Sequence, residues 1–180
     1  MNIKQEWENL LIDKAIAENY HWICGSHQIL KISKVDSIIV SGLLIRAISI
    51  LDYSLELYIN NNNIELPNRN PKLFDRLKVL NDKNVLVNYN DIDAWRIRRN
   101  DVGHRVNEEY KWDELTQCLF SIFRELNQLN ILNEFPELAA KKTIQRVPPS
   151  KDGIKIEQDI IVSVHDSSKT YYQFGWKDRV

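Results

Sequence analysis

Apolar residues recur at three- and four-residue intervals through most of the chain, the spacing that lays one face of an α-helix against a core. Ile3, Trp7, Leu10, Leu11, Ala15 and Ala17 predict a first amphipathic helix from Asn2 to about Tyr20. A longer one follows from Asp36 to Ile59, dense in Ile38, Ile39, Leu43, Leu44, Ala47, Ile48, Leu51, Leu55 and Tyr58. Because it is apolar on most sides, it is expected at the centre of the fold. The run Asn60-Asn61-Asn62-Asn63 should end it, since asparagine competes for backbone hydrogen bonds and tolerates the left-handed conformation.

Pro71 reads as a first helical residue after Asn70 as cap, with Leu73, Phe74, Leu77 and Leu80 as the buried stripe of a third helix. After a polar loop from Asn81 to Asn90, a short helix is predicted from Asp91 to about Val102. Asn90 caps it, Ile92, Trp95 and Ile97 line it, and Gly103 stops it. Trp112 to Leu132 is the cleanest periodic segment, with Leu115, Cys118, Leu119, Ile122, Phe123, Leu126 and Leu129 on one face. A short helical piece is expected at Pro136 to Lys142. Val147-Pro148-Pro149-Ser150-Lys151-Asp152-Gly153 then reads as a linker. Ile154–Val164 and Thr170–Trp176, rich in β-branched and aromatic residues around His165-Asp166-Ser167-Ser168, predict a β-hairpin. The expected organisation is a mostly α domain over residues 1–142 and an extension over residues 143–180.

A chain of 180 residues, 43% hydrophobic, can bury one full core. The formal charge of -1 argues against a protein that coats nucleic acid or an anionic membrane by bulk electrostatics, so any polyanion contact has to be local. Five Gly and five Pro disfavour a turn-rich β architecture and a glycine-rich phosphate loop. Cys24 and Cys118 lie too far apart in sequence to set a disulfide framework or a metal-ligand spacing, and His21, Cys24 and His27 have no second cluster to complete a tetrahedral site. The N-terminus lacks the basic start and apolar run of a signal peptide, and the stretch Ile38–Leu44 is broken by Ser41 and Gly42. A cytoplasmic setting, no membrane association, no metal and no cofactor are the corresponding expectations.

Local charge appears in one place. Arg96-Ile-Arg98-Arg99-Asn100-Asp101-Val-Gly103-His104-Arg105 gathers four arginines, one aspartate and one histidine, a charge of about +3 in a chain otherwise near neutral. Guanidinium forks suit phosphate, and histidine is the side chain whose ordinary pKa allows proton transfer near neutrality. Spacing alone decides little, but its place at a helix end, ahead of a strongly amphipathic helix and behind a long central one, is informative.

Arg99-Asn100, three further residues and His104 resemble the signature of the HEPN family, the higher eukaryotes and prokaryotes nucleotide-binding domains: an arginine, four to six residues, then a histidine, often with a polar residue directly after the arginine. The resemblance covers roughly residues 1–135 in helical layout, and this hexapeptide at the level of specific residues. It implies an antiparallel four- or five-helix bundle, here with a small C-terminal β-hairpin, and a metal-independent endoribonuclease of the kind found in toxin–antitoxin and phage-defence systems. His104 would be general base or acid at a ribose 2'-hydroxyl, Arg99 would stabilise the charge on phosphorus, and Asn100 would hold substrate or backbone. The segment holds one histidine while the reaction needs an acid and a base, so the resemblance also implies a homodimer that brings two copies together, with RNA as substrate and an antitoxin or regulatory protein as partner.

On an ideal helix Arg99 and His104 are about 140° apart, so convergence requires the helix to break at Gly103. Arg98 satisfies the same spacing rule and is an alternative partner. Asp52 and Glu56 on the long helix are candidates to orient Arg99 or His104, with an ordinary ion pair to Arg46 as their other expected role. Val106 stands where some toxin members carry a tyrosine. The alternative to the enzyme is a catalytically inactive helical module that binds a nucleotide, RNA or a protein.

Overall fold

The computed structural model describes residues 2–25, 33–102, 109–135, 139–146, 157–165 and 170–179. They form five helices, α1 (Ile3–Gly25), α2 (Ser33–Asn61), α3 (Leu73–Asp82), α4 (Tyr89–Val102) and α5 (Trp112–Gln128), followed by strands β1 (Ala139–Arg146), β2 (Glu157–His165) and β3 (Thr170–Arg179). The protein is mostly helical. It divides into two compact units, Met1–Leu10 with Lys31–Phe135, and Leu11–Leu30 with Pro136–Val180.

In the first unit α2 is the central helix and packs against α3, α4 and α5. Val40, Leu44, Ala47, Ile48, Leu51, Leu55 and Ile59 are buried along it, meeting Leu77 and Leu80 of α3, Ile92 of α4 and Leu115, Leu119, Ile122 and Leu126 of α5 in one core. Among the described residues, α2 alone is long and apolar enough to cross a membrane, and a central core helix has that same composition. The N-terminal turn of α1 starts on Asn2, whose side-chain oxygen accepts the Gln5 backbone N–H, and Glu6 then bonds Arg46 of α2 at 3.3 Å.

Three helices stop in the same way. Asn63, Asn84 and Asn130 follow α2, α3 and α5 with φ of 51°, 55° and 56°. In each case the backbone N–H of the next residue reaches back five positions: Ile64 to Ile59, Val85 to Leu80 and Ile131 to Leu126. These are Schellman turns, with asparagine in the left-handed position that glycine usually takes, and an apolar residue at both ends of each closing bond. The asparagine run therefore ends α2 as expected, at its last member. Leu129 to Leu132 lies beyond α5 because Asn130 turns the chain.

Other expectations are corrected. Pro71 and Asn70 precede α3 rather than opening and capping it; Lys72 is at the cap, and the Asp75 carboxylate accepts its backbone N–H at 2.9 Å. Asn90 is inside α4, and Asn88 precedes the helix. Phe74 and Ile97, expected in buried stripes, are 41% and 49% exposed. Ala139–Lys142, expected helical, is strand, where pairing along the whole of β1 outweighs the helix propensity of Ala-Ala-Lys-Lys.

The strands of the second unit form an antiparallel sheet in the order β1-β2-β3. Ala139 lies opposite His165 and Arg146 opposite Gln158; Glu157 lies opposite Arg179 and Val164 opposite Tyr172.

Helix α4 is fastened to α5 by polar groups, for it buries only Ile92. Glu125, fully buried on α5, accepts the backbone N–H of Val87 at 3.2 Å and of Asn88 at 2.5 Å, the two residues leading into α4. Burial pushes the Glu125 carboxyl above the usual glutamate range, while these bonds and the charge of Arg124 pull it back.

Three outcomes test these devices. Asn130→Ala should cost about 1 kcal/mol in urea unfolding by forcing a Cβ without local hydrogen-bonding capacity into the left-handed region, whereas Asn130→Gly should cost nothing. Glu125→Ala should cost about 2 kcal/mol by removing the acceptor of two partly buried backbone N–H groups. Because burial holds the folded Glu125 carboxyl above the ordinary glutamate value of 4.5, its contribution is full below that pH and is lost as pH rises through the folded value. The stability of the wild type relative to Glu125→Gln should therefore fall as pH rises above 4.5.

Candidate active site

The last turns of α4 carry the arginines, and the structure sorts them by partner. Arg96 sits against Asp93 at 2.6 Å, with its guanidinium 5.1 Å from the Phe74 ring centroid. Arg98 turns toward α5. It bonds Glu114 at 3.2 Å and the Glu109 carbonyl, and lies 4.3 Å over the Tyr110 ring. Arg99 is exposed, and its described hydrogen bond goes to the side-chain oxygen of its neighbour Asn100 at 3.3 Å. No carboxylate among the described residues pairs with it. Two adjacent arginines on a helix point about 100° apart, so one is consumed by α5 while the other faces away.

Arg99 and Asn100 line a cavity of about 320 Å³ between α2, α3 and α4. Asp52 and Ser49 enter it from α2, Lys72 and Arg76 from the start of α3, and Arg96 from α4; Ile48, Pro71, Leu73 and Phe74 supply an apolar wall. Asp52 is thus brought to the same cavity as Arg99 and Asn100. Glu56 lines a neighbouring polar cavity of about 510 Å³ that shares Arg76 and Pro71 with the first. Arg98 is held in its contacts with α5 and does not line the cavity. Gly103, His104 and Arg105 lie outside the described residues, as does His27.

The buried element of the site is Arg76. Its guanidinium bonds Asp52 at 2.7 Å and Glu56 at 3.0 Å, two carboxylates one turn apart on α2. Its Nε is buried and has no hydrogen-bond partner. The pairing expected between these carboxylates and Arg46 is replaced by this one, with Arg46 bonding Glu6 instead. Burial pushes the Asp52 carboxyl up from the ordinary aspartate value. The charge and hydrogen bond of Arg76 act against this, Glu56 adds to it, and Arg99 also opposes it.

The ion pairs leave the attraction for an anion in one part of the cavity. Arg76 with Asp52 and Glu56 sums to -1, and Arg96 with Asp93 sums to zero. What remains positive is Arg99 and Lys72, neither of which has a carboxylate partner among the described residues. The cavity offers a phosphate-sized anion two free cations and an amide, next to a carboxylate with a raised pKa. Among the described residues no group of three or more His, Cys, Asp or Glu is arranged to hold a metal.

Lys72, Arg76 and Phe74 were not singled out from the sequence as site residues. Arg76 carried a signal: an arginine directly before the buried Leu77, in a chain whose central helix bears two carboxylates at i and i+4, is an ion pair in waiting.

No protein-family model matches this chain, and no curated protein or solved structure matches it.

The two arginines separate in experiment. Arg98→Ala should lower the unfolding free energy by about 1 kcal/mol through loss of its ion pair and ring contact. Arg99→Ala should change it by less than about 0.5 kcal/mol. Inorganic phosphate should raise the Tm of the wild type and of Arg98→Ala, and leave that of Arg99→Ala where it is.

Proposed function

We propose that this chain is a metal-independent endoribonuclease of the HEPN type, acting in the cytoplasm as a homodimer in a toxin–antitoxin or phage-defence setting. The observation that carries the reading is the unpaired Arg99 beside Asn100 in a cavity with Asp52, the same Arg-Asn pair that opens the motif ending at His104.

In this mechanism a base takes the proton from a ribose 2'-hydroxyl, and the 2'-oxygen attacks the adjacent phosphorus. The bond from phosphorus to the 5'-oxygen breaks, and an acid returns a proton to that leaving oxygen. The products are a 2',3'-cyclic phosphate and a 5'-hydroxyl. Arg99 stabilises the charge that builds on the phosphoryl oxygens, His104 of each copy supplies one proton-transfer group, and Asn100 fixes the substrate.

The outer face of α2 supports the dimer. Ile38 is 71% exposed, Gly42 has open space around it, Ile45 is exposed, and the same face continues through Ser49 to Asp52 at the cavity. A second copy seated on that apolar stretch would adjoin the cavity.

Purified protein in EDTA should cut single-stranded RNA and leave cyclic phosphate ends. His104→Ala and Arg99→Ala should each cut about 100-fold more slowly with unchanged circular dichroism. Unchanged cutting in His104→Ala defeats the mechanism. RNA binding by a wild type that cuts nothing selects the inactive binding module, and a monomer at working concentration removes the two-histidine site.

A further inference from the structure

The cavity beside Arg99 has more wall than an inorganic anion needs. Arg99, Lys72 and Asn100 are enough to hold a phosphate, yet the same space is bounded by Pro71, Leu73 and Phe74. Phe74 is the anomaly among them. It falls in the apolar series of α3 with Leu77 and Leu80, both fully buried, but remains 41% exposed in the cavity wall. Its exposed surface therefore borders a cavity that also holds Arg99 and Lys72.

The ring is also held in place. Arg96 lies 5.1 Å from its centroid, and Arg96 is itself anchored by the 2.6 Å contact with Asp93. A fixed, partly exposed ring is a platform that loses little side-chain entropy on binding. Lys72 and Phe74 stand two residues apart at the start of α3, where the Asp75 bond to the Lys72 N–H sets the first turn. The cavity thus presents a cation and an aromatic surface from one rigid turn, with Arg99 contributed by α4. Its volume, about 320 Å³, lies at the small end of the roughly 300–1,000 Å³ typical of small-ligand sites, room for about one nucleotide.

We propose that Phe74 stacks the nucleobase of the nucleotide whose phosphate is drawn to Arg99 and Lys72, so that the substrate is single-stranded RNA with one unstacked base seated in this cavity. The proposal rests on the RNA reading above. Stacking on an aromatic ring tolerates any base, because every base has a π-face. Phe74 is accordingly a positioning residue that holds the strand without choosing its sequence.

The test uses the full chain and a 2'-O-methyl oligonucleotide, which cannot be cleaved, with 2-aminopurine placed at each position in turn. Wild-type protein should quench the fluorescence at one position. Phe74→Leu should abolish the quenching and weaken binding roughly 5- to 100-fold. Phe74→Trp, which keeps an aromatic face, should retain both quenching and affinity. An oligonucleotide abasic at the quenched position should bind wild type and Phe74→Leu equally.

Quenching that survives in Phe74→Leu overturns the platform, as does an equal loss of affinity for the abasic probe or failure of the probe to bind. Because the probe is inert to cleavage, quenching in a protein that cuts no RNA leaves the platform standing and the ribonuclease fallen. Cutting of RNA without quenching at any position does the reverse.

Discussion

Glu125 lies fully buried on α5 and accepts hydrogen bonds from the backbone N–H groups of Val87 and Asn88, the residues that lead into α4. A carboxylate in that position does two things at once. It satisfies donors that a helix start leaves open, and it places negative charge where the helix dipole favours it. The direction of α4 relative to α5 follows, because the opposite end of α4 returns to the beginning of α5 through Arg98 and Glu114. Antiparallel alignment, fixed at both ends, decides which faces of α4 are free. Arg98 is drawn to α5, and Arg99, one residue on, is left to the cavity.

A similar economy of pairing shapes the site. Five cationic side chains stand in or beside the cavity, and most are answered by carboxylates: Arg76 by Asp52 and Glu56, Arg96 by Asp93, Arg98 by Glu114. Arg76 could not be buried otherwise, since an isolated guanidinium removed from water is unstable by several kcal/mol. What distinguishes Arg99 and Lys72 is that neither forms an ion pair with a carboxylate among the described residues. Local charge density therefore overstates the field of the site, and the partner of each residue is the better measure.

Much of the helical layout was legible in the sequence because periodicity reports burial directly. The central position of α2 and the face of α5 are both consequences of where apolar residues recur. Periodicity does not say whether a neighbour arrives to cover the predicted face. Phe74 and Ile97 stand on such faces and are exposed. The start of α3 was misplaced because Lys72 carries no capping side chain, and the cap comes from Asp75 inside the helix. In the site, Arg99, Asn100 and Asp52 were legible as residue types. The sorting of Arg98 from Arg99, and the capture of both α2 carboxylates by Arg76, depend on distances between helices that no local pattern contains.

The two fastenings of α4 differ in their exposure to solvent. At its start the Glu125 carboxylate is sealed from water, while near its end Arg98 and Glu114 keep about a quarter and a third of their side-chain surface in contact with it. Ionic strength screens the second and barely reaches the first. Added salt should thus weaken the fastening of α4 to α5 at the end that bears Arg99 and leave the other end unchanged. Electrolyte acts on Arg99 twice, by shielding its charge and by loosening the end of the helix that carries it.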